Sequence, residues 1–552
     1  MRTRIRMAQR MLWLGVISLV MLGSLGYRLF TLQIQQSEAL SRKAYQQRTQ
    51  TLPLQMRRGQ ILDRNGQPLT DPESSFGVAV FPKLLPGAAV VRRALEPLLG
   101  KERVELLLER AGKGHEPRWV LEGLTREEAA EVEALGLPGV GSGPVGRRYG
   151  LESLARHLVG YANDQGGQQG LELAFEQQLA GERVPVLSAT FDGRESPLFG
   201  GRVSARMPEA GKEPYDLLTT IDRRIQERVE QVLDQTLHPT GGPLRGAVVV
   251  LDVKTGEPLA IASRPDYDQA DLPGGGDGAL INRALQAYEP GSVFKAIVAA
   301  AALDSGLVSL DEEFVCTGHY ELGDMRFGEP GKGHGRITFA EALGQSCNIT
   351  FIKVGLERLG GERLLEAAQR FGLGEPAGLY PGAPEGAGNL PALRYGGDVA
   401  QFSFGQAGLQ ASPLQIARAF AAIANGGILP PVNLVTAIVK PDGEVIAQPQ
   451  TGEAARRVIS AQTAAALQEA LLRTTHPEGE GTGRRAWVNG VGSAGKTGSA
   501  ETGAEVHAWF AGWVPAEQPR YAIAVWIENG QAGGTYAAPL FRRVAEAILE
   551  LE

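Results

Sequence analysis

The chain has 552 residues, of which 43% are hydrophobic and 21% are charged, as is usual for globular proteins. This length is too great for one hydrophobic core and predicts two or three domains. A formal net charge of −7 leaves no excess of basic residues for phosphates, so we predict no nucleic acid among the partners. The only cysteines, Cys316 and Cys347, exclude a disulfide framework, although a single bridge between them stays open.

The N-terminal segment has the composition of a membrane anchor. Residues 11–34 are almost entirely apolar and reach the ~20 residues that span a bilayer, with Arg28 able to snorkel. Four arginines and no acidic residue lie in residues 1–10, which are therefore predicted to be a cytoplasmic tail. The alternative is a cleaved signal peptide, but no Ala-x-Ala site follows the run. We predict a single-pass protein of the cell membrane with an extracytoplasmic, periplasmic-side catalytic domain.

Residues 35–210 are predicted to form a pedestal domain that mixes short strands with amphipathic helices. It begins with a polar helix over residues 35–50, and Asn65-Gly66 between apolar pairs predicts a hairpin turn. Thr125 is an N-cap candidate for a helix that ends near residue 135. Glycine and proline in residues 201–214 predict a domain boundary near residue 210.

Residues 211–552 are predicted to form a second domain with strands at both ends and helices between them. This order indicates one antiparallel sheet flanked by helices, and so an α+β fold class. The predicted strands are 217–222, 246–251, 258–263, 507–513 and 521–528. The predicted helices are 223–237, one that begins near residue 292, and 339–345, 349–359, 361–371, 414–425, 463–472 and 538–551.

Ser292 is the residue around which we interpret this domain. A Pro-Gly turn precedes it and an alanine-rich apolar run follows, which places Ser292 in the first turn of a buried helix. Lys295 lies one turn further on the same face. A serine nucleophile needs a base, and a lysine can serve if burial lowers its pKa. The alternative is a serine N-cap beside a solvated lysine, and Ser-x-x-Lys alone does not decide between them.

Two further short motifs follow in the same domain. Ser346-x-Asn348 lies at a junction between predicted helices, and Lys496-Thr497-Gly498 leads from a glycine-rich segment into strands. Lys254-Thr255-Gly256 repeats the last motif, but it lies in a hairpin where glycine simply permits the turn. We therefore assign the catalytic role to Lys496. Three such motifs in this order are typical of active-site-serine enzymes that recognise penicillin.

On these motifs the whole chain resembles a class B penicillin-binding protein, a D,D-transpeptidase that cross-links peptidoglycan. The anchor and several short signatures add to the resemblance: Arg58–Gly66, His157–Tyr161, Gly170–Glu172, Asn282–Ala284 and Phe404–Gln406. The resemblance implies a transpeptidase domain on an elongated, dimerisation-like α+β pedestal with one transmembrane helix. The distance between anchor and pedestal leaves no room for a glycosyltransferase domain.

The resemblance also implies a serine acyl-enzyme and a role for each motif. Neutral Lys295 would take the proton of Ser292, which would attack the penultimate D-Ala carbonyl of a stem peptide. Ser346 would relay a proton to the departing D-Ala, and Asn348 would orient the peptide amide.

The third motif would bind the substrate and stabilise the transition state. Lys496 would maintain a positive field, Thr497 would hydrogen-bond the substrate carboxylate, and Gly498 would let the substrate backbone approach closely. The N–H groups of Ser292 and Ser499 would hold the oxyanion.

No cofactor is required for this chemistry, but a zinc ion near His334 and Cys347 is a further hypothesis. Some elongation-type relatives use such a site, and Cys316, His319 and Asp324 lie nearby in the sequence. Its acidic ligand is not evident from the spacing. The alternative is that Cys347 is a small buried hydrophobe and the other side chains are polar residues of a loop.

Three functions stay open at this point. The first is a transpeptidase that binds stem peptides and β-lactams, and we favour the elongation type over the division type because of Cys347 and the Gly-His-Gly stretch 333–335. The second is a D,D-carboxypeptidase or penicillin hydrolase, against which we find no acid suited to activate water. The third is a non-catalytic scaffold that activates a membrane glycosyltransferase. The family pairs with such an enzyme of the SEDS type, and small residues in the anchor would permit close helix packing.

Overall fold

The computed structural model describes residues 2–552 except residues 38–39, 41–42, 44–47, 55–57, 71–72, 151, 164, 182–185, 193–195, 207–211, 238–244, 274–277, 330, 450–452 and 504. The chain forms two compact units. The first comprises Met1–Arg57, Glu73–Arg147 and Glu182–Lys212, and the second comprises Arg58–Pro72, Arg148–Gly181 and Glu213–Glu552. The domain boundary predicted near residue 210 lies outside the described residues.

The first unit begins with a long helix, Arg2–Phe30, that continues into a helical turn, Thr31–Gln35. The segment Met11–Gln35 is long and apolar enough to cross a membrane, and none of its apolar window is buried by the protein. It therefore fits the predicted anchor. Much of the polar helix predicted at residues 35–50 lies outside the described residues.

In the described residues, the rest of the first unit contains two three-stranded antiparallel sheets and three α-helices. The sheets contain Thr49–Pro53, Val186–Thr190 and Ser204–Arg206, and Arg118–Leu124, Glu73–Val80 and Val140–Arg147. The helices are Ala88–Leu99, Lys101–Ala111 and Arg126–Ala134. Thr125 caps the last helix as predicted, because its hydroxyl accepts the Glu128 N–H while the Glu128 carboxylate accepts the Thr125 N–H.

Two segments that the sequence assigns to the pedestal fold with the second unit instead. In Arg58–Pro72, the short strand Ile61–Leu62 pairs in parallel with Asp216–Thr219, and Asn65-Gly66 makes the predicted tight turn. In Arg148–Gly181, the apolar side chains of the helices Arg156–Val159, Gly170–Ala174 and Glu176–Leu179 join the main core of that unit. Linear order does not reveal this, since burial of these side chains depends on residues distant in the sequence.

The second unit is built on a five-stranded antiparallel sheet. Its strands are β1 (Gly246–Asp252), β2 (Pro258–Arg264), β3 (Ala494–Thr502), β4 (Glu505–Val514) and β5 (Tyr521–Ile527), in the spatial order β2-β1-β5-β4-β3. Four of these strands are predicted from the sequence. The fifth, β3, contains Lys496-Thr497-Gly498 and places this motif at an edge of the sheet.

Helices cover both faces of this sheet, as the α+β prediction requires. Helices Arg223–Leu237 and Ala537–Leu549 share one core with alternate residues of the sheet, such as Val248 and Val525. The opposite face, with Val249 and Ala524, packs in a larger core with the fully buried helix Pro413–Ala424. The period-2 alternation of each strand explains how one strand serves two cores.

The other helices of the second unit lie between β2 and β3 in the sequence. They are Lys295–Asp304, Phe339–Gly344, Asn348–Lys353 with its continuation Val354–Leu359, Gly360–Arg370, Gly396–Phe402 and Ala461–Thr475. Small sheets complete the unit: Glu313–Cys316 with Gly335–Thr338, His319–Leu322 with Met325–Gly328, Ile428–Leu429 with Arg456–Arg457, Ala162–Asn163 with Gly166–Gly167, and Val435–Val439 between Asp216–Thr219 and Val445–Ala447.

Candidate active site

Ser292 lies in a 3-10 turn, Gly291–Phe294, that runs directly into the helix Lys295–Asp304. The turn packs tightly against β3: a Cβ atom on Gly291 would lie 2.5 Å from the Ser499 carbonyl oxygen, and Gly291 itself has a φ of +54°. Only glycine fits such a position without strain. The turn therefore brings the Ser292 backbone next to Ser499, although Ser499 lies 207 positions later in the sequence.

Lys295 is completely buried, and its amine joins the first two motifs. Its Nζ donates to the Ser346 carbonyl oxygen at 2.6 Å and to Asn348 Oδ1 at 2.6 Å, and lies 3.3 Å from Ser346 Oγ. Burial lowers the pKa of Lys295 to about 8, against a smaller opposing effect of Glu329 and Cys347. Roughly a tenth of the amine is therefore neutral at pH 7, and the neutral form is the one that a general base needs.

Ser346 occupies a strained backbone position between two helices. Its φ is +62°, in the left-handed region that serine rarely adopts, and such a residue costs of the order of 1–3 kcal/mol. The hydrogen bond from Lys295 to its carbonyl oxygen helps to hold it there. After it, the Cys347 sulfur caps the helix Asn348–Lys353 by accepting the Thr350 N–H. This backbone conformation places both the carbonyl oxygen and the hydroxyl of Ser346 beside Lys295.

Lys496 is also completely buried and lies in β3. Its Nζ is 3.1 Å from the carbonyl oxygen of the next residue, Thr497. Burial, and then the charge of Lys295, lower the pKa of Lys496 well below its ordinary value. A bound carboxylate would raise this pKa and favour the charged form of Lys496.

A large open cavity of about 1020 Å³ connects the three motifs. Ser292, Ser346, Asn348, Thr497, Gly498 and Ser499 line it, while the two lysines lie buried behind its wall. The repeated motif Lys254–Gly256 lies elsewhere, in the exposed turn between β1 and β2, where the Asp252 carboxylate accepts the N–H groups of Lys254 and Thr255. The structure therefore gathers all eight predicted site residues around one cavity.

Several cavity residues are not found by sequence reasoning. The hydroxyl of Thr482 lies 2.5 Å from that of Thr497, and Arg485 lines the same wall. Gly533 comes close to β3, since a Cβ atom there would lie 2.3 Å from the Gly498 carbonyl oxygen. Two pairs of glycines lie at these positions, 481 with 483 and 533 with 534. In the sequence, these glycines are the feature that indicates a close approach of one backbone segment to another.

Comparison with known proteins identifies the family. Residues 246–546 match the family model described as penicillin binding protein transpeptidase domain, and residues 53–185 match the penicillin-binding protein dimerisation domain. The chain belongs to the penicillin-binding proteins. Within them it is a class B transpeptidase, with the dimerisation and transpeptidase domains that this class contains.

Similar proteins of known name support the assignment of this chain to the penicillin-binding proteins. Stage V sporulation protein D of Bacillus subtilis (strain 168) is 32% identical over 570 residues, covering 98% of this chain and 85% of the relative. Probable peptidoglycan D,D-transpeptidase PenA of Neisseria meningitidis is 32% identical over 528 residues, covering 91% and 86%. A solved structure described as "Structural coordination of polymerization and crosslinking by a peptidoglycan synthase complex" matches with a TM-score of 0.74 at 28% identity, covering 98% and 99%. The predicted family, fold class and transpeptidase enzyme class are confirmed.

Two of the family signatures, at Arg58 and Glu172, join in a buried ion-pair network in this penicillin-binding protein. Arg58 Nε donates to Glu172 Oε2 at 2.5 Å, and Glu172 also accepts from Arg148 and from the Tyr149 hydroxyl. Arg58 forms a second ion pair with Glu176. Removing one partner of such a network leaves an uncompensated buried charge. We therefore interpret the signatures at Arg58 and Glu172 as structural.

A cluster of four metal-ligand side chains lies behind the second motif. Ligand atoms of Cys316, Glu329, His334 and Cys347 all lie within 4.8 Å of one another, with His334 Nδ1 3.4 Å from Cys316 Sγ. The cysteines are free thiols, so the bridge left open by the sequence is not formed. Of the residues named from the sequence, His319 and Asp324 are outside the cluster, and the acidic member is Glu329.

Proposed function

We propose that this chain is a peptidoglycan D,D-transpeptidase that joins stem peptides through an acyl-enzyme on Ser292 and is inhibited by β-lactams on the same residue. The observation that carries the proposal is that Ser292, Ser346 and Asn348 line one cavity, while the fully buried Lys295 donates to the Ser346 carbonyl oxygen and to Asn348 Oδ1. A buried lysine with a lowered pKa is the base that a serine nucleophile needs. The name of the relative PenA, a probable peptidoglycan D,D-transpeptidase, supports the substrate class.

Acylation begins when neutral Lys295 takes the Ser292 hydroxyl proton and Oγ bonds to the carbonyl carbon of the penultimate D-Ala. The N–H groups of Ser292 and Ser499 bind the oxyanion, and donors of this kind contribute about 2.7–4 kcal/mol each. Collapse breaks the carbon–nitrogen bond. The proton passes from Lys295 through Ser346, whose Oγ is 3.3 Å from Nζ, to the departing D-Ala amine.

Deacylation follows the same path in reverse with a different amine. The amine of a second stem peptide attacks the ester carbonyl and loses a proton to the Lys295–Ser346 pair. Ser292 Oγ leaves with that proton, and the new amide is the cross-link. One D-Ala is released, and no water, cofactor or oxidant is consumed. During acylation, before the terminal D-Ala leaves, Asn348 orients the donor amide, while Lys496 and Thr497 bind the terminal carboxylate of the donor.

Transfer to an amine is favoured over hydrolysis by the surroundings of Ser292. The acids that line the cavity in the described residues are Glu329, which accepts the Ile349 N–H, and Glu501 near the end of β3. Neither has a hydrogen bond to Ser292 or Lys295 in that part of the chain, so neither is positioned to activate water. The alternatives are a D,D-carboxypeptidase or penicillin hydrolase, and a purely structural scaffold. Labelling with fluorescent penicillin distinguishes among them.

We further propose that a zinc ion binds Cys316, Glu329, His334 and Cys347. Two sulfurs, one imidazole nitrogen and one carboxylate oxygen suit the tetrahedral preference of zinc. The ion would supply structural support, tying the 313–338 strands to the residue between Ser346 and Asn348. Metal analysis of purified protein should find zinc in the wild type and in His319→Ala, but less in His334→Ala. Wild-type protein with only trace zinc would contradict the proposal.

This cluster is also why we propose an elongation-type role, in a protein anchored with its N-terminus in the cytoplasm and its catalytic unit outside. We propose a SEDS-type glycosyltransferase as the partner, which the peptidoglycan synthase complex among the structural matches supports. Depletion in the cell should cause rounding and loss of shape. Filamentation with failed septa would instead indicate the division type.

Fluorescent penicillin labelling tests the catalytic proposal. Wild type should form a stable adduct, while Ser292→Ala should not label at all. Equal labelling of Ser292→Ala would overturn the assignment, rapid release of the label would favour a penicillin hydrolase, and absence of labelling in the folded wild type would favour a scaffold.

A further inference from the structure

The β3 strand presents a row of side chains to the cavity from one edge of the sheet. In the described residues β3 pairs with β4 alone. Thr497, Ser499 and Glu501 alternate along β3 and all line the cavity, as the two-residue period of a strand requires. Successive members of this row are spaced by about 6.8 Å. The row therefore provides positions at which side chains can recognise successive parts of an extended ligand.

The proposed function fixes the direction in which a donor peptide lies along this row, and the inference rests on it. The terminal carboxylate lies by Thr497, where Lys496, Thr482 and Arg485 supply cationic and hydroxyl groups. The carbonyl that is attacked lies at the N–H of Ser499. The preceding residue of the donor, the third of the stem peptide, then lies further along β3, towards Glu501.

Glu501 has the properties of a ligand-binding carboxylate. Its side chain is exposed and lines the cavity. Within the described residues it forms no salt bridge and no hydrogen bond through its side chain. Arg485, on the wall beside Thr497, likewise has no acidic partner there. Arg326 and Glu329 also line the cavity, and what distinguishes Glu501 is its position in β3, two residues beyond Ser499.

We propose that Glu501 is a specificity-determining residue that binds an amino group on the side chain of the third residue of the donor stem peptide. The substrate class is therefore a stem peptide whose third residue is a diamino acid with a free amine at that position. The Glu501 carboxylate also disfavours a reversed donor, because the reversed peptide would place its own carboxylate against Glu501.

Thiol release from soluble donors tests this inference with the full chain in detergent. The donors are N-acetyl-X-D-alanyl-D-thiolactates in which X is lysine, Nε-acetyl-lysine or glutamate. Wild type should show kcat/KM for lysine about threefold to fivefold above that for Nε-acetyl-lysine, as expected for an exposed ion pair. Raising the salt concentration should reduce this ratio.

Variants of one carboxylate separate recognition from a structural role. Glu501→Gln should bring the lysine to acetyl-lysine ratio close to one, and Glu501→Lys should favour the glutamate donor. Glu505→Gln is the matched control, since Glu505 is an exposed acid of the same hairpin that does not line the cavity. It should keep the wild-type ratio.

Two outcomes overturn the inference in different ways. Turnover with the same ratio in wild type and Glu501→Gln, or a ratio of one in the wild type, overturns the role of Glu501 alone. No thiol release from any donor by a wild type that also fails to bind penicillin overturns the proposed function and this inference together.

Discussion

The chain contains the sequence Lys-Thr-Gly twice, and the two copies differ in every physical respect that matters for catalysis. Lys254 is exposed in a turn between β1 and β2, held by the Asp252 carboxylate. Lys496 is fully buried in an edge strand, and its pKa is lowered by burial and by Lys295. Identical residues acquire reactivity only from burial and charged neighbours.

The largest expected difference between the two copies is in acylation. Lys496→Ala should lower the rate of penicillin acylation by roughly 10²–10⁴-fold, because a catalytic polar group is removed from beside the reacting atoms. Lys254→Ala should stay within twofold of wild type. Stopped-flow or gel-based labelling measures both rates, with a cooperative unfolding transition as the control for folding. Similar losses in the two variants would contradict the assignment of the motif to Lys496.

The pH dependence of acylation is expected to be the next largest effect. Burial lowers the pKa of Lys295 to about 8, and only the neutral amine accepts the Ser292 proton. The rate should therefore rise with pH and level off above about pH 8, a change of roughly fiftyfold from pH 6 to pH 8. Lys254→Ala should leave the midpoint unchanged.

Acylation rates from pH 5.5 to pH 10 in a buffer of constant ionic strength measure this profile. A flat profile, or a midpoint near the ordinary lysine pKa, would show that the neutral form of Lys295 does not control the reaction. Stability must be followed in parallel, so that unfolding at either extreme of pH is not mistaken for titration.

Substitution of the glycine in each copy of the Lys-Thr-Gly motif should have a different effect, on activity in one copy and on stability in the other. A Cβ atom on Gly498 would lie 2.8 Å from the Pro290 carbonyl oxygen and 3.0 Å from Val293 Cγ1, so it would push on the Ser292 turn. Gly498→Ala should slow acylation about tenfold, since small displacements of reacting groups are costly.

The matched change in the turn should act on the fold instead. Gly256 has a φ of +76°, and a Cβ atom there would lie 2.0 Å from the Pro431 carbonyl oxygen. Gly256→Ala should therefore lower the free energy of unfolding by about 1–3 kcal/mol. Acylation well below the melting temperature should be nearly normal. Denaturant unfolding and penicillin labelling of both glycine variants test these two predictions. A loss of activity in Gly256→Ala together with a loss of stability in Gly498→Ala would contradict this comparison.

The sequence indicates much of the site because the catalytic residues occur in short local motifs. The turn before Ser292, the helix after it and the spacing to Lys295 follow from proline, glycine and an alanine-rich run. The strands β1, β2, β4 and β5 have the apolar runs that predict them. Placing Lys254 in a turn and Lys496 at the catalytic site also follows from the residues around each copy.

Other features depend on residues that meet only in the folded chain. Arg58–Pro72 and Arg148–Gly181 lie within the region that matches the dimerisation domain, yet their apolar side chains pack in the core of the second unit. Glu329 enters the metal-ligand cluster because the hairpin His319–Leu322 with Met325–Gly328 brings it back beside Cys316, where its carboxylate also accepts the Ile349 N–H. Thr482 meets Thr497 because the segment before β3 folds back onto it.

The sequence by itself determined the apolar N-terminal segment, the order of the three motifs and the family, because composition and local spacing carry that information. Tertiary structure alone decided that Ser346 is held in a left-handed conformation, that both lysines are buried and that Glu501 faces the cavity. A pKa and an electrostatic field depend on distance and burial in three dimensions, and neither is a property of a residue's neighbours in the sequence.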